Sequence, residues 1–331
     1  MKFQNQALKR QAREKVASCK LEKKIILFYA GSLCAISVIF MLADLLLSYM
    51  TPQAGGLSTM GMRSFLSSLS SILPILNFLL SMCLGFGYLG GMVRVSRGQY
   101  ASPNALRTGF ERFWPLLRLT FFKGLITLGF SMGAFYLATV IFTLSPFSNR
   151  LVQALEPMVS GGSLLSEGTL ELTDGVIDAV NASMLPLMAI FLIVAAVFVV
   201  PLLYRLRMTD YVLYDHPEAG ALYAIRESKK MMRFHRLSIF KLDLSFWWFY
   251  LAMAVSYGLN YVPLFLSISG ISLPMGADAL SILFFLLSCA TEFVVIYFLR
   301  SRMEVTCALA YNELKPKEHS TGAVLGNIFQ M

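Results

Sequence analysis

The amino-acid sequence predicts an all-α fold, a polytopic membrane bundle of six transmembrane helices with amphipathic connecting helices. Three observations predict it: an apolar composition, six long stretches almost free of charge, and an uneven placement of Lys and Arg. Of the 331 residues, 56% are hydrophobic and only 14% are charged, whereas soluble domains carry about 25% charged residues. This composition excludes a soluble enzyme, a disordered regulator and a secreted disulfide scaffold.

Each apolar stretch is long enough to cross a bilayer, whose core of about 30 Å requires roughly 20 helical residues. All should be helical, since lipid offers no partner to an unpaired backbone amide. The first stretch follows 24 residues of charged sequence and is longer than the apolar region of a signal peptide, so we expect it to remain uncleaved. The predicted spans are 25–49, 71–93, 119–144, 184–204, 243–265 and 279–299.

Lys and Arg are concentrated on one side of this alternating arrangement. Of the 28, 26 lie before the first span, in the second and fourth connections, or after the sixth span. Because cytoplasmic loops carry the excess of Lys and Arg, we expect both termini in the cytoplasm of a bacterial plasma membrane. The chain then comprises a basic cytoplasmic segment 1–24, a membrane domain 25–311 and a cytoplasmic tail 312–331.

The net charge of +9 follows from this predicted topology. It indicates attraction to the lipid bilayer and its anionic head groups rather than a nucleic-acid partner. A cytoplasmic protein partner is a further expectation, although the sequence does not identify one.

The sequence offers no pattern for a metal, a cofactor or a known catalytic motif. None of the five cysteines lies in a predicted external loop, so we expect no disulfide. The three histidines are scattered, which does not match the spacing of a metal site. Metalloprotease, nucleophile-elbow and phosphate-loop motifs are missing as well, and we therefore expect a protein that is not an enzyme.

Similar features recur at the predicted inner ends of spans two, four and six. Each end carries a pair of arginines: Arg94 and Arg97, Arg205 and Arg207, Arg300 and Arg302. Stretches opened by Ser102-Pro103 and His216-Pro217 follow two of these ends, with the serine as an expected N-cap. Related hexapeptides, 118–123 and 236–241, then lead into the next spans. Three parallel hairpin repeats would explain the pattern, as would features that any inner helix end shares.

Two spans carry glycine pairs at the spacing of closely packed membrane helices, Gly87 with Gly91 and Gly129 with Gly133. Glycine lets two backbones approach where lipid supplies no hydrophobic driving force. We expect these faces to pack spans two and three together, and homodimerisation is the alternative.

The stretch from Tyr204 to Trp248 resembles a known family. It is similar to an uncharacterised family of bacterial integral-membrane proteins, a domain of unknown function (number 975). The resemblance implies a six-helix protein with a cytoplasmic helix before span five, and it implies no activity. The family pattern has Gly before the histidine, where this chain has Phe234 before His235. The matching residues are Asp210-Tyr-Val-Leu-Tyr-Asp215-His-Pro217, Ala224-Ile225-x-x-Ser228-x-x-Met231-Met232 and Phe240-x-Leu242-x-Leu244-Ser245-Phe246-x-Trp248.

Two carboxylates lie within predicted spans and are candidate intramembrane ionisable groups. Glu292 is eight residues, about 12 Å of helix, from Arg300. A central charge costs about 2.5–3.5 kcal/mol on insertion scales, so Glu292 should be protonated, paired or next to a wet cavity. A proton or substrate site and a single interhelical hydrogen bond are both compatible with it. Asp44 lies near the outer boundary, where an interfacial carboxylate and an ion pathway are the alternatives.

The remaining candidate site is a cationic cytoplasmic surface. In segment 217–237, Leu222, Ile225 and Met232 recur at helical spacing among the cations, which favours a helix lying in the head-group plane with its apolar face down. A docking surface for a soluble partner is the alternative. The candidate surface residues are Arg94, Arg97, Arg205, Arg207, Arg226, Lys229, Lys230, Arg233, Arg236, Arg300 and Arg302.

Two classes of function are compatible with these features. The charge distribution favours a non-catalytic scaffold or regulator that acts through its basic cytoplasmic face. Glu292 and the repeated hairpins favour a small-molecule or lipid transporter. A membrane-embedded enzyme has nothing in the sequence to support it beyond scattered acidic residues.

Overall fold

The computed structural model describes residues 5–18, 22–50, 57–149, 174–268 and 277–315, and every regular element in those ranges is helical. Five helices are long and apolar enough to cross a membrane, and a bent pair makes a sixth span if it is counted as one. Within the described residues, this confirms an all-α fold with five or six apolar helices that could span a membrane by their length and composition.

Both long and short helices occur in the described residues, and we number thirteen of these α-helices in chain order. The first six helices are α1 Asn5–Ser18, α2 Glu22–Met50, α3 Leu57–Ser96, α4 Thr108–Glu111, α5 Phe113–Thr143 and α6 Asp174–Arg205. The remaining seven are α7 Thr209–Asp215, α8 Gly220–Met231, α9 Arg236–Leu244, α10 Trp247–Leu259, α11 Val262–Ile268, α12 Ala277–Val295 and α13 Ser301–Leu314.

The fifth predicted span is broken rather than continuous. Helices α9 and α10 meet at an angle of 65°. At the break the Ser245 hydroxyl donates to the Leu242 carbonyl, an oxygen that a continuing helix would use for its own ladder. A second interruption at Asn260 and Tyr261 precedes α11, whose Pro263 lacks the amide that would continue the helix.

The sixth span continues well past its predicted end at residue 299. Helix α12 passes through a π-helical turn at Ile296–Arg300 into α13. Almost every residue of α13 from Ser301 to Tyr311 is buried, including Val305 and Ala308. Helix α13 is therefore surrounded by protein, as in the core of a soluble domain, and a hydropathy window cannot distinguish that setting from lipid.

The chain divides into two compact units, and the first contains the residues up to Leu117, Met208–Gly220 and the residues from Leu237 onward. The rings of Tyr29 on α2 and Tyr88 on α3 stack with centroids 4.3 Å apart. Ser256 on α10 and Ser288 on α12 each donate to the other's carbonyl, at 2.9 and 2.8 Å. Interhelical hydrogen bonds of this kind join helices where lipid supplies no hydrophobic driving force.

The second unit comprises Arg118–Arg207 and Ala221–Arg236. Ala134 and Ala138 of α5 form a small buried cluster with Val194 of α6. At one end of this unit, the Ser228 hydroxyl of α8 donates to the Arg205 carbonyl at 2.9 Å. That bond satisfies one of the carbonyls that the last turn of α6 leaves without a helical partner.

The glycines of the two pairs have different surroundings, and the predicted packing of spans two and three against each other stays a prediction. A Cβ on Gly87 would lie 2.3 Å from the Leu106 carbonyl oxygen, so this glycine admits the turn at Pro103–Arg107. A Cβ on Gly129 or Gly133 would meet no atom of the described residues within 4 Å. The close approaches in the structure therefore involve a connecting segment, and homodimerisation remains an untested prediction.

The two Pro-initiated stretches begin alike, which fits a repeat without establishing one. Each opens with a 3₁₀ turn, at Pro103–Arg107 and Pro217–Ala219. Ser102 occupies the N-cap position but its side chain makes no cap hydrogen bond. The proline ring alone therefore predisposes this turn, and the three-hairpin repeat stays a prediction.

Gly109→Ala should lower the stability of the first unit. Its Cβ would lie 1.8 Å from the Cys83 carbonyl oxygen, so a backbone must move. Overpacking of this kind costs about 1–3 kcal/mol or more. Gly129→Ala is the matched control, because it meets open space and gains helix propensity. Thermal unfolding in mild detergent measures both variants, and equal midpoints would contradict this packing.

Candidate functional site

A buried carboxylate, Asp215, joins several segments of the first unit. Its side chain is only 6% exposed, and one oxygen, Oδ2, accepts three hydrogen bonds. The donors are Arg97 Nη2 at 2.7 Å, the Tyr311 hydroxyl at 2.9 Å and Lys315 Nζ at 3.3 Å. We refer to these four residues as the Asp215 clasp. It connects the end of α3, the end of α7 and both α13 and the residue that follows it.

The end of α3 places Arg97 for this role. Gly98 has a φ of 74°, a conformation in which a Cβ would be strained. The Gly98 amide donates to the Val95 carbonyl and the Gln99 amide to the Arg94 carbonyl, both at 2.9 Å. This is a Schellman motif, which ends the helix and leaves the arginine cation at its negative end.

Tyr214, the residue before Asp215, fixes α7 against α3. Arg94 Nε donates to the Tyr214 hydroxyl at 2.9 Å, and Arg112 Nη1 donates to the Tyr214 carbonyl at 2.6 Å. A Cβ on Gly90 would lie 2.3 Å from the tyrosine ring, so the ring packs directly on the α3 backbone. Asp215 is thus positioned by the contacts of the preceding residue, Tyr214, as well as by its own hydrogen bonds.

A second layer of hydrogen bonds surrounds the Asp215 clasp. Arg97 Nε donates to Asn312 Oδ1 at 3.2 Å, and Asn312 Nδ2 donates to Ser96 Oγ at 2.9 Å. Lys15 of α1 donates to the Ser96 carbonyl. The N-terminal helix is therefore tied to the same point, although it is separated from α13 by nearly the whole chain.

The charges of the clasp keep Asp215 ionised. Burial alone would raise the pKa of this carboxyl, but the hydrogen bonds from Arg97 and Tyr311 and the charges of Arg97 and Lys315 outweigh it and lower the pKa. The same hydrogen bond raises the pKa of the Arg97 guanidinium. The pair is therefore charged at neutral pH, and charge-assisted hydrogen bonds are the stronger kind.

Aromatic and acidic side chains extend from the Asp215 clasp toward the apolar helices. The Tyr311 ring stacks on Tyr211 at 5.4 Å between centroids. The Tyr211 hydroxyl donates to Glu304 Oε2 at 3.1 Å, and Glu304 Oε1 lies 3.7 Å from Arg300 Nε. The Arg300 guanidinium lies over the Tyr29 ring at 5.0 Å. Arg300 is consequently turned into the bundle, not onto an exposed surface.

Glu292 lies one turn of α12 before the π-helical turn and is half-buried. Its charge interacts with that of Arg300. Among the described residues, no side chain comes within hydrogen-bond distance of its carboxylate. Asp44, the other predicted intramembrane carboxylate, lies six residues before the end of α2, accepts a hydrogen bond from Ser70 and is exposed.

The predicted cationic surface separates into two groups. Arg94, Arg97 and Arg300 are engaged inside the first unit, as described above, while Arg207 and Arg236 are half-buried. Of the exposed group, Lys230 lies 3.9 Å from Glu227, and Arg205 is close enough to Arg236 for their charges to repel. The exposed members are Arg205, Arg226, Lys229, Lys230, Arg233 and Arg302.

The face of α8 differs from the prediction. Ile225 and Met232 are buried within the protein, whereas Leu222 is 61% exposed. The buried face includes the small residues Ala221, Ala224 and Ser228, which hydropathy weights too lightly to reveal. Helix α8 therefore uses its inner face for protein contacts. Its residues Arg226 and Lys229 are exposed, as is Arg233 two residues after its end, and we call these three residues the α8 cation face.

Sequence reasoning missed the clasp and two other buried polar groups. Asp215 and Tyr211 belong to the stretch that resembles the family, but no sequence pattern indicated their partners. Asp243, at the start of the fifth predicted span, is 4% exposed and accepts a hydrogen bond from the Cys307 thiol at 3.8 Å. No sequence pattern singled out Glu304.

Comparison with known families decides the affiliation of the chain. The model of the family described as "Protein of unknown function (DUF975)" matches residues 5–317. The chain belongs to this family. No curated protein and no solved structure matches it. In this DUF975 member, the matched region includes all four residues of the Asp215 clasp.

Asp215→Asn should destabilise this DUF975 protein by about 1.5–3 kcal/mol, the range for hydrogen bonds to a charged group. Glu111→Gln is the control, because its pair with Arg107 is exposed and such pairs contribute about 0.3–0.5 kcal/mol. Denaturant unfolding in mild detergent measures both. Equal losses would contradict a stabilising role for the clasp.

The clasp should also make stability depend on pH in one direction. The pKa of Asp215 is lower in the folded protein than the value of about 3.9 in an unfolded chain. Its contribution is therefore complete above that value and is lost as the pH falls through the folded pKa. We expect the stability difference between wild type and Asp215→Asn to be constant from pH 7 to about 5 and to shrink in acid. A difference that grew in acid would contradict this assignment.

Proposed function

We propose that the chain is a non-catalytic membrane scaffold or regulator that presents a rigid cationic platform to anionic groups at the cytoplasmic membrane surface. The proposal includes a bacterial plasma-membrane location with both termini in the cytoplasm, which the Lys and Arg bias supports. The observation that carries it is a separation of charges: Asp215 and Glu304 are engaged inside the protein, and the exposed cations Arg226, Lys229 and Arg233 have no acidic partner among the described residues.

The inward acids support this separation. Asp215 binds Arg97 and Lys315, and Glu304 binds Arg300 and Tyr211. These contacts give a counter-charge to cations that lie partly inside the protein, so they hold the short helices in place. They leave no carboxylate of the clasp for the cations outside it.

The α8 cation face is the clearest part of the platform. Among the described residues, Arg226, Lys229 and Arg233 have no acidic side chain within 4 Å, and all three are exposed. A Lys or Arg near an anionic membrane surface gains about 1 kcal/mol. Three together provide roughly 3 kcal/mol, on the order of a hundredfold in affinity.

Neutralising the α8 cation face should reduce the preference for anionic lipid. The variant is Arg226→Gln/Lys229→Gln/Arg233→Gln in the full chain. We expect native mass spectrometry to show phosphatidylglycerol retained in preference to phosphatidylcholine by the wild type, with this preference strongly reduced in the variant. Raising the salt concentration should also reduce the preference, because a higher ionic strength shortens the Debye length and screens the attraction between the cations and the lipid.

The matched control is Arg10→Gln/Arg107→Gln, since these exposed cations already pair with Glu14 and Glu111 on the same helical segments. It should retain the wild-type lipid preference. An equal preference for both lipids in the wild type would contradict the scaffold proposal.

A second candidate function, transport through an intramembrane carboxylate, is supported by the position of Glu292. This half-buried carboxylate lacks a hydrogen-bond partner among the described side chains and is near Arg300, which the Glu304 and tyrosine contacts connect to the Asp215 clasp. Such groups in transporters carry protons or bind substrates.

Proton flux into proteoliposomes distinguishes the two candidates. The scaffold proposal predicts no protein-dependent flux under a pH gradient, and no difference between wild type and Glu292→Gln. A flux that Glu292→Gln abolishes and Asp44→Asn retains would establish transport as the better description.

A further inference from the structure

A small cavity of the first unit lies where α1, the α9–α10 break and the end of the last span come together. Its volume is about 190 Å³, about six times a water molecule's share of the liquid. Three cations line it, Lys9, Arg13 and Arg302, together with the aromatic side chains Phe246, Trp248 and Phe249. We call it the Lys9 cavity.

We propose that the Lys9 cavity binds the phosphate-bearing head group of an anionic glycerophospholipid. This inference rests on the proposed function, because it assigns a specific lipid site to the cationic side of the protein. The site is separate from the α8 cation face, which belongs to the second unit.

The cations around the cavity are crowded and uncompensated. Lys9 Nζ donates to the Ser245 carbonyl at 3.1 Å and lies 4.5 Å from the centre of the Phe246 ring. Burial, followed by the charge of Arg13, lowers the pKa of this amine. Among the described residues, neither Arg13 nor Arg302 has an acidic side chain within 4 Å. A bound anion would relieve this repulsion, because like charges at close range raise one another's energy.

Apolar side chains of the long helices line the cavity beside the cations. Phe249 is 7% exposed and Trp248 is 62% exposed, both in the first turn of α10. Leu299, the last residue of the sixth predicted span, also lines the cavity. Tryptophan is enriched at head-group depth because its ring is amphipathic.

The break between α9 and α10 makes room for this arrangement. The 65° bend at Ser245 and Phe246 leaves the Ser245 carbonyl free to accept from Lys9 instead of continuing a helical ladder. A lining that combines cations with aromatic and aliphatic groups matches a ligand with a charged head and an apolar tail. Basic pockets between spans at the cytoplasmic side bind anionic lipid head groups in this way. Free phosphate would use only the cations of this lining.

Trp248 offers a direct local probe of the site. The experiment uses the full chain with Trp114→Phe and Trp247→Phe, so that Trp248 is the only tryptophan, reconstituted in phosphatidylcholine vesicles. Dibrominated phosphatidylglycerol and dibrominated phosphatidylcholine are compared as quenchers of its fluorescence. We expect the anionic lipid to quench more strongly at equal mole fraction.

Arg302→Gln should reduce the relative binding constant for the anionic lipid about fivefold, the factor associated with one cation near a membrane surface. Arg302→Lys keeps the charge and should restore most of the preference. Arg107→Gln is the matched control, because that arginine is paired with Glu111 and does not line the cavity. Circular dichroism and the thermal midpoint establish that each variant is folded.

Inorganic phosphate at millimolar concentration distinguishes the two sources of the anion. Phosphate is compared with chloride at the same ionic strength. If phosphate relieves the quenching and chloride does not, the cavity is a free-phosphate site and the lipid assignment is overturned. Equal quenching by both lipids, unchanged in Arg302→Gln, would also overturn it. If the Trp248 quenching contradicted the lipid site while the α8 variant still lost its preference for anionic lipid, the cavity assignment alone would be wrong and the scaffold proposal would stand.

Discussion

The ion pair between Asp215 and Arg97 is the constraint on which the basic end of the first unit depends. One carboxylate oxygen accepts from Arg97, Tyr311 and Lys315, which belong to segments that lie far apart in the chain. Breaking such a pair leaves a buried charge without its partner, which is costlier than the pair is stabilising. The arrangement therefore persists as a unit or fails as a unit, and it fixes how the short helices lie against α3 and α13.

This constraint also explains where the free charges are. Asp215 and Glu304 pair with Arg97 and Arg300 inside the protein, so these two carboxylates do not compensate exposed cations such as Arg226, Lys229 and Arg233. Charge separation of this kind serves binding better than stability, since the exposed cations repel one another until an anion approaches. Glu292 lies at the inner end of the same set of contacts. Its interaction with the charge of Arg300 is also compatible with a purely structural role.

Most of the fold was predictable and most of the site was not. Spans such as α2 and α5 could be recognised because hydropathy over about 20 residues is a local signal. The break at Ser245 depends on one hydroxyl, and the extension of the last helix depends on packing around α13, so neither has a local signature. Asp215 could not be assigned, because its partners are 118, 96 and 100 residues away and spacing within one helix says nothing about them. The inner face of α8 was misjudged because Ala224 and Ser228 carry little hydropathy.

Hydrogen exchange of the full chain in nanodiscs tests the central claim, that a preformed cationic platform binds anionic lipid. The comparison is between discs of phosphatidylcholine alone and discs that also contain phosphatidylglycerol. We predict that α1 and the α9–α10 break exchange more slowly when the anionic lipid is present, while α13 is well protected in both because it is buried in the protein. Identical exchange of α1 and the break in the two discs would contradict lipid binding, and rapid exchange of α13 would contradict a preformed platform.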